Sequence, residues 1–234
     1  MKSKKNMVLG LVAALGAMVV GTGTARAGAV LDFQLGGSGG GSISYAGGTA
    51  PLIGTNIPIG LVSGTDTPLN NGGSLLITGT CAGGRGCLNF QTGNMVSNVG
   101  GVLTFGAGTA FTITGGISSL GLGNSTILLT ASSVQATVQN IGGFFSFTLP
   151  NGSDTKNPTL VSYFFATAPI SWAFAGSISG PPVNLSGFTI TNETSVDIGN
   201  AAVPEPMSVL LLGTTMVGVA TIIRRRKKNS TKVG

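Results

Sequence analysis

The chain has 234 residues, 40 of them glycine, with 42% hydrophobic residues, only 8% charged residues and no histidine. Apolar content this high excludes a charge-rich disordered chain, and the lack of histidine removes Ser-His-Asp and Cys-His catalysis and most zinc sites. The formal charge of +6 gathers at the two ends, because between residues 28 and 203 only Arg85 and Lys156 stand against Asp32, Asp66, Asp154, Glu193 and Asp197, a formal charge of −3. That span offers no basic patch to neutralise phosphates, so nucleic acid is not an expected partner.

The first segment reads as a secretory signal peptide covering residues 1–27. Lys2, Lys4 and Lys5 give a positive start, residues 7–20 form an apolar stretch without charge, and small residues follow up to Ala25-Arg26-Ala27. Ala25 and Ala27 match the A-x-A pattern that precedes cleavage, so signal peptidase is an expected partner and Gly28 the expected new N-terminus.

Residues 28–201 alternate apolar and polar positions with period 2. Leu31, Phe33 and Leu35 alternate with Asp32 and Gln34. Ile43 and Tyr45 follow, then Phe111 and Ile113, Val134, Ala136 and Val138, Trp172 and Phe174, Phe188 and Ile190, and Val196 and Ile198. Such patterns predict strands with one buried face. Turn signals separate them at Asn70-Asn71-Gly72-Gly73, Gly115-Gly116, Asn140-Ile141-Gly142-Gly143, Asn151-Gly152 and Gly180-Pro181-Pro182. The expected fold is all-β, a β-sandwich or jelly-roll-like ectodomain, with a solenoid disfavoured by the lack of a fixed repeat. Phe144, Phe145, Phe147, Tyr163, Phe164 and Phe165 are expected in the core. No useful amphipathic helix is predicted here, and residues 36–42 read as an arm or long turn.

Candidate chemistry in this span is thin. Gly36-Gly37-Ser38-Gly39-Gly40 matches G-x-S-x-G but has no histidine to act as base. Ser153-Asp154-Thr155-Lys156 matches S-x-x-K, yet neither S-D-N nor K-T-G occurs, and the flanking Asn151-Gly152 and Asn157-Pro158 read as turns. The oxygens of residues 151–157 could face Ca²⁺, though without EF-hand spacing. Thr112-Ile113-Thr114 and Thr189-Ile190-Thr191 place hydroxyl pairs on one strand face, too few to order water in ranks. Cys81 and Cys87 are the only cysteines, and in an exported chain they are expected to form a disulfide. No catalytic residue, metal ligand or cofactor site is assigned, and the chain is read as a non-enzyme.

After residue 201 comes a three-part tail over residues 202–228. Pro204-Glu205-Pro206 is extended by its prolines. Residues 207–223 are apolar and uncharged, which at 1.5 Å per residue reaches ~26 Å as a helix, the short end for crossing a bilayer. Arg224, Arg225, Arg226, Lys227 and Lys228 follow, a block that holds the cytoplasmic side, with residues 229–234 as a cytoplasmic tail. The tail resembles the PEP-CTERM sorting signal, a region also labelled after ice-binding proteins, a label of the tail alone. The resemblance implies recognition by exosortase, cleavage near residues 204–206, and a bearer encoded with exopolysaccharide systems. The expected product crosses the inner membrane, is held for a time by the C-terminal helix, and acts at the cell surface or in the extracellular matrix. The expected role is structural or adhesive within extracellular polysaccharide, with a carbohydrate-binding module as the alternative.

Overall fold

Alternating segments become strands at most of the predicted places. The structure, a computed structural model, describes residues 30–35, 40–108, 110–132, 135–142, 144–168, 172–193 and 195–202. Ala25 and Ala27, Pro204, Glu205 and Pro206, the apolar run 207–223 and the block Arg224, Arg225, Arg226, Lys227 and Lys228 lie outside the described residues. Among the described residues no helix is long and apolar enough to cross a membrane.

In chain order the strands are β1 (Val30–Leu35), β2 (Ser42–Tyr45), β3 (Pro51–Thr65), β4 (Ser74–Leu76), β5 (Thr78–Cys81), β6 (Arg85–Val99), β7 (Val102–Phe105), β8 (Ala110–Thr114), β9 (Ile127–Ser132), β10 (Ala136–Ile141) and β11 (Phe144–Lys156). A short helix, α1 (Pro158–Phe164), precedes β12 (Trp172–Gly180), β13 (Phe188–Ile190) and β14 (Ser195–Ala202). The chain is all-β with one small helix.

Two stacked sheets were expected, and the hydrogen bonding gives a closed ring instead. β1 pairs with β3, β3 with β6, and β6 with β7 and β8, which lie end to end along it. These pair with β10 and β9, which in turn share β11. β11 pairs with β12, β12 with β14, and β14 returns to β1, every contact antiparallel. The result is an up-and-down barrel. Strand length explains why a sandwich does not form. β3 and β6 each have 15 residues and β11 has 13, long enough for right-handed twist to wind the sheet onto itself. A bulge between Gly54 and Ile57 helps β3 bend. There Asn56 takes a φ of 51°, and its N–H donates to Asn89 Oδ1 at 2.9 Å.

The inward residues fill the ring. Leu31 and Phe33 lie opposite Gly64 and Val62 on one side, and Asn200 and Ile198 on the other. Phe90 sits at the centre, stacked at 4.9 Å on Phe147 and at 6.1 Å on Phe111. It crosses directly over Gly54, where any Cβ would come within 2.1 Å of the Phe90 ring. Glycine here is a packing requirement, set by the aromatic ring of its directly opposed neighbour on β6.

The two mouths are closed differently. At one rim, where Val30 pairs with Ala201, α1 lies across the opening. Asn157 Oδ1 caps it by accepting from Thr159 N–H at 3.0 Å and Leu160 N–H at 3.4 Å, and Pro158 occupies its first turn. Its buried residues Leu160, Val161 and Phe164 point into the barrel. Sequence reading placed turns at Asn151-Gly152 and Asn157-Pro158 and no helix. In the structure β11 runs through Asn151-Gly152 with a register shift, and Asn157-Pro158 is the helix start. At the other rim β2 and β13 pair with each other, and Tyr45 and Phe188 meet Phe105 and Phe145 with ring centroids 5.2–5.8 Å apart. The predicted core aromatics Phe145, Phe147, Phe164 and Phe165 are buried, but Phe144 is 60% exposed. It follows the hairpin turn at 142, so the period-2 rule puts it on the outward face.

Cys81 and Cys87 form a disulfide with an S–S distance of 2.06 Å. It ties the β5 excursion to β6, and closing so small a ring contributes about 2 kcal/mol through the unfolded chain.

Candidate functional site

Three groups of polar side chains stand apart from this apolar interior. The first lies inside the helix-covered rim. Asp154 and Lys156 are two apart on β11 and so share its inward face, opposite Ala131 and Leu129 of β9. Lys156 Nζ donates to Asp154 Oδ1 at 2.8 Å and Oδ2 at 2.9 Å, and both side chains are fully buried. The ammonium also stands 3.7 Å from the centre of the Trp172 ring on β12, which Phe165 meets edge-on. Burial lowers the Lys156 pKa to about 8 against the pull of Asp154, and burial raises that of Asp154 against the pull of Lys156. The pair thus costs desolvation on both sides, and the carboxylate and the indole face compensate it. Its arrangement holds β9, β11 and β12 in register. Both Asp154 oxygens are engaged by Lys156 and Asn157 Oδ1 by the helix cap. Of the oxygens considered for Ca²⁺, those of Asp154 and Asn157 Oδ1 therefore already have partners.

The second group is on the outer wall. Asp32 of β1 faces outward, with Gly199 and Ser63 opposite, and Gln34 lies opposite Asp197 of β14. Gln34 Nε2 donates to Asp32 Oδ2. Burial, and then the Asp197 carboxyl, raise the Asp32 pKa to about 6, while Gln34 pulls it down. Asp32 Oδ1 is buried without a donor among the described residues. Two of the five scattered acids therefore meet, as a glycosidase would require. They do so on the barrel wall, with Ser63 and Gly199 opposite Asp32 and Ser177 opposite Asp197.

The third group is the single residue Glu193, before β14. It is 1% exposed, neither carboxyl oxygen has a partner among the described residues, and burial raises its pKa. Asp66, the remaining acid, has a positive φ of 53° in the turn after β3. Among the described residues no group of three or more metal-ligating side chains converges.

Thr112 proves to be part of a rank. It lies opposite Asn89 on one side and Thr130 on the other, and Thr130 lies opposite Thr155. On a closed ring successive strands point their hydroxyls in diverging directions, so the rank does not form a flat lattice.

Sequence reading missed the buried pair because Asn-Gly and Asn-Pro flank it and suggested a turn. The signal that could have revealed it is the spacing: Asp154 and Lys156 alternate with Ser153 and Thr155, as strand residues do. The wall pair left no local signal, since Asp32 and Asp197 lie at opposite ends of the barrel sequence. In class, then, the molecule is a closed antiparallel barrel with a packed interior and ionisable groups at a rim and on the wall. No protein-family model matches the chain, and no curated protein or solved structure matches it either.

Proposed function

We propose that this chain is an exported surface protein, sorted through residues 202–228 by exosortase, whose barrel is a non-catalytic structural or adhesive body in an extracellular polysaccharide matrix. The observation that carries the reading is the order of parts after the last strand. β14 ends at Ala202, and Pro204-Glu205-Pro206, an uncharged apolar run and five consecutive basic residues follow at once. This order fits a folded body followed by a short exposed cleavage segment, a membrane stretch and a cytoplasmic stop. The pairing of Val30 with Ala201 adds support. It brings the starting points of both targeting segments to one rim, so the barrel would hang from the membrane by that rim alone.

The non-enzymatic part of the reading is supported by what the ionisable groups are doing. Lys156 and Asp154 neutralise each other inside the barrel, and the side chains opposite Asp32 and Asp197 on the neighbouring strands are short apart from Gln34. Carbohydrate binding, the alternative, has one well-exposed aromatic ring to offer among the described residues, Phe144, where a sugar platform uses several.

Mass spectrometry of protein released from cells with and without an exosortase tests the reading. The expected result is a mature chain that begins at Gly28 and ends near Pro206 only when the exosortase is present. An identical C-terminus in both strains would refute the sorting mechanism.

A further inference from the structure

The rim that carries α1 is also where the described residues begin and end. Thr65, Val30 and Ala201 lie opposite one another on three neighbouring strands, and β14 stops at Ala202, opposite Trp172. Residues 203–206 separate that point from the uncharged apolar run 207–223. Four residues reach ~14 Å at full extension. The headgroup layer on each side of a bilayer takes up ~5–8 Å of that, so little length is left to hold the rim away from lipid. The outer surface of this rim is almost uncharged. The turn after β3 is fixed onto α1, because Leu69 N–H donates to Phe164 O at 2.9 Å and Asn70 Nδ2 donates to Tyr163 O at 2.7 Å. Thr67 Oγ1 donates to Leu69 O at 2.8 Å and closes the turn. Anchored in this way, Leu69 stays 40% exposed while Leu160, Val161 and Phe164 of the adjoining helix are buried. Pro68 is exposed beside it, as are Ala166, Thr167 and Ala168 just after Phe164. Within residues 66–73 and 158–168, Asp66 is the one charged residue.

We propose that the turn at residues 68–69 and the segment 166–168 form a membrane-contact surface, whose occupant is the bilayer that residues 207–223 enter. This inference rests on the reading of the tail as a membrane stretch. Distance carries the choice of occupant. A rim on so short a tether is held at the lipid throughout the life of the uncut chain, whereas a second copy or a polysaccharide must find it from solution. The position of the turn agrees, since Thr65, the last residue of β3, is two strands or ~10 Å from the tail's exit. The contact is made by neutral groups: these two segments have no Lys or Arg to meet anionic headgroups, and Asp66 is repelled by them. It therefore depends on the tether. A cut at residues 204–206 removes the tether and the contact together, so a released barrel needs no separate step to leave the membrane.

The test is site-specific fluorescence quenching of the full chain in vesicles of phosphatidylethanolamine and phosphatidylglycerol that carry a doxyl lipid quencher near the headgroups. Cys81 and Cys87 stay joined as the disulfide, so an introduced thiol alone takes the dye. Labels are placed at Leu69→Cys and Thr167→Cys on the α1 rim, at Asn98→Cys on the hairpin rim, and at Thr215→Cys in the apolar run. The expected result is loss of most of the fluorescence at Leu69→Cys, Thr167→Cys and Thr215→Cys, with none lost at Asn98→Cys. Quenching at Thr215→Cys that reaches neither α1-rim label would overturn the contact surface and leave the reading of the tail standing. Equal quenching at Asn98→Cys would overturn it too, because the barrel would then have no preferred face. An unquenched Thr215→Cys would refute the membrane reading of the tail and the proposal with it. If Leu69→Cys fails to fold, Thr167→Cys decides alone.

Discussion

The two rims of the barrel solve the same problem with opposite materials. The α1 rim takes the chain ends, a capped helix and a charged pair, and turns everything inward: Phe164 lies against Gly64, and Lys156 sits beneath Trp172. The hairpin rim is plugged by the rings of Tyr45, Phe105, Phe145 and Phe188, yet it leaves Val99, Ile141 and Phe144 outside. The difference teaches where stability resides. The buried ion pair makes one rim sensitive to single substitutions, whereas the exposed apolar tips make the other tolerant of them.

The sharpest way to break this contrast is at the α1 rim. Lys156→Met leaves Asp154 buried without a cation and should cost roughly 3–5 kcal/mol, whereas Lys156→Met together with Asp154→Leu should be near neutral or stabilising. Urea unfolding of the single and double variants checks this. A single variant as stable as the wild type would mean that water reaches the pair.

A smaller effect belongs to the wall between the rims. Asp32 has a folded pKa of about 6, above the ordinary value of 3.8, and those of Asp154 and Glu193 are also raised. Through the window from about 4 to 6 the native state therefore binds more protons than the unfolded chain, so stability falls as pH rises and is regained on mild acidification. Melting temperature should be higher at pH 5 than at pH 7.5, and the slope should be shallower in Asp32→Asn. A slope unchanged by that substitution would remove Asp32 from the account.

The smallest effect is expected at the hairpin rim. Phe144→Ser touches an exposed side chain and should shift unfolding free energy by no more than about 0.5 kcal/mol. A loss of several times that size, measured by the same urea titration, would mean that the tip is part of the core and not a free surface.

Much of the barrel was legible residue by residue. Leu31 and Phe33, Ile43 and Tyr45, Phe111 and Ile113, and Val196 and Ile198 are buried as their alternation predicts, because a strand's period is fixed by backbone geometry. The closure was not legible, since nothing near Val30 says that it pairs with Ala201 and not with a strand of a second sheet. The stretch from Ser153 to Lys156 reads as a turn because propensity at Asn151-Gly152 and Asn157-Pro158 is local. Of the two partners that make burial of Lys156 tolerable, Asp154 is two residues away and Trp172 lies beyond the helix. Phe144 was misassigned for the opposite reason: aromatic identity was weighed above the parity that places Phe145 and Phe147 inward and Phe144 outward.

One seam in the barrel also sets an order of events. Most strands pair only with ones close to them in the chain, but β2 must find β13 and β1 must find β14, the last strand among the described residues. Contacts between sequence-distant strands form slowly, because loop entropy is lost before the contacts reward it. Any chain delivered N-terminus first, from a ribosome or through a membrane, therefore carries an open sheet with unpaired edges on β1 and β12 until the last strand arrives. During that interval the growing sheet can pair with other chains. Arrival of β14 and locking of the barrel become a single event, placed at the residues that immediately precede the tail.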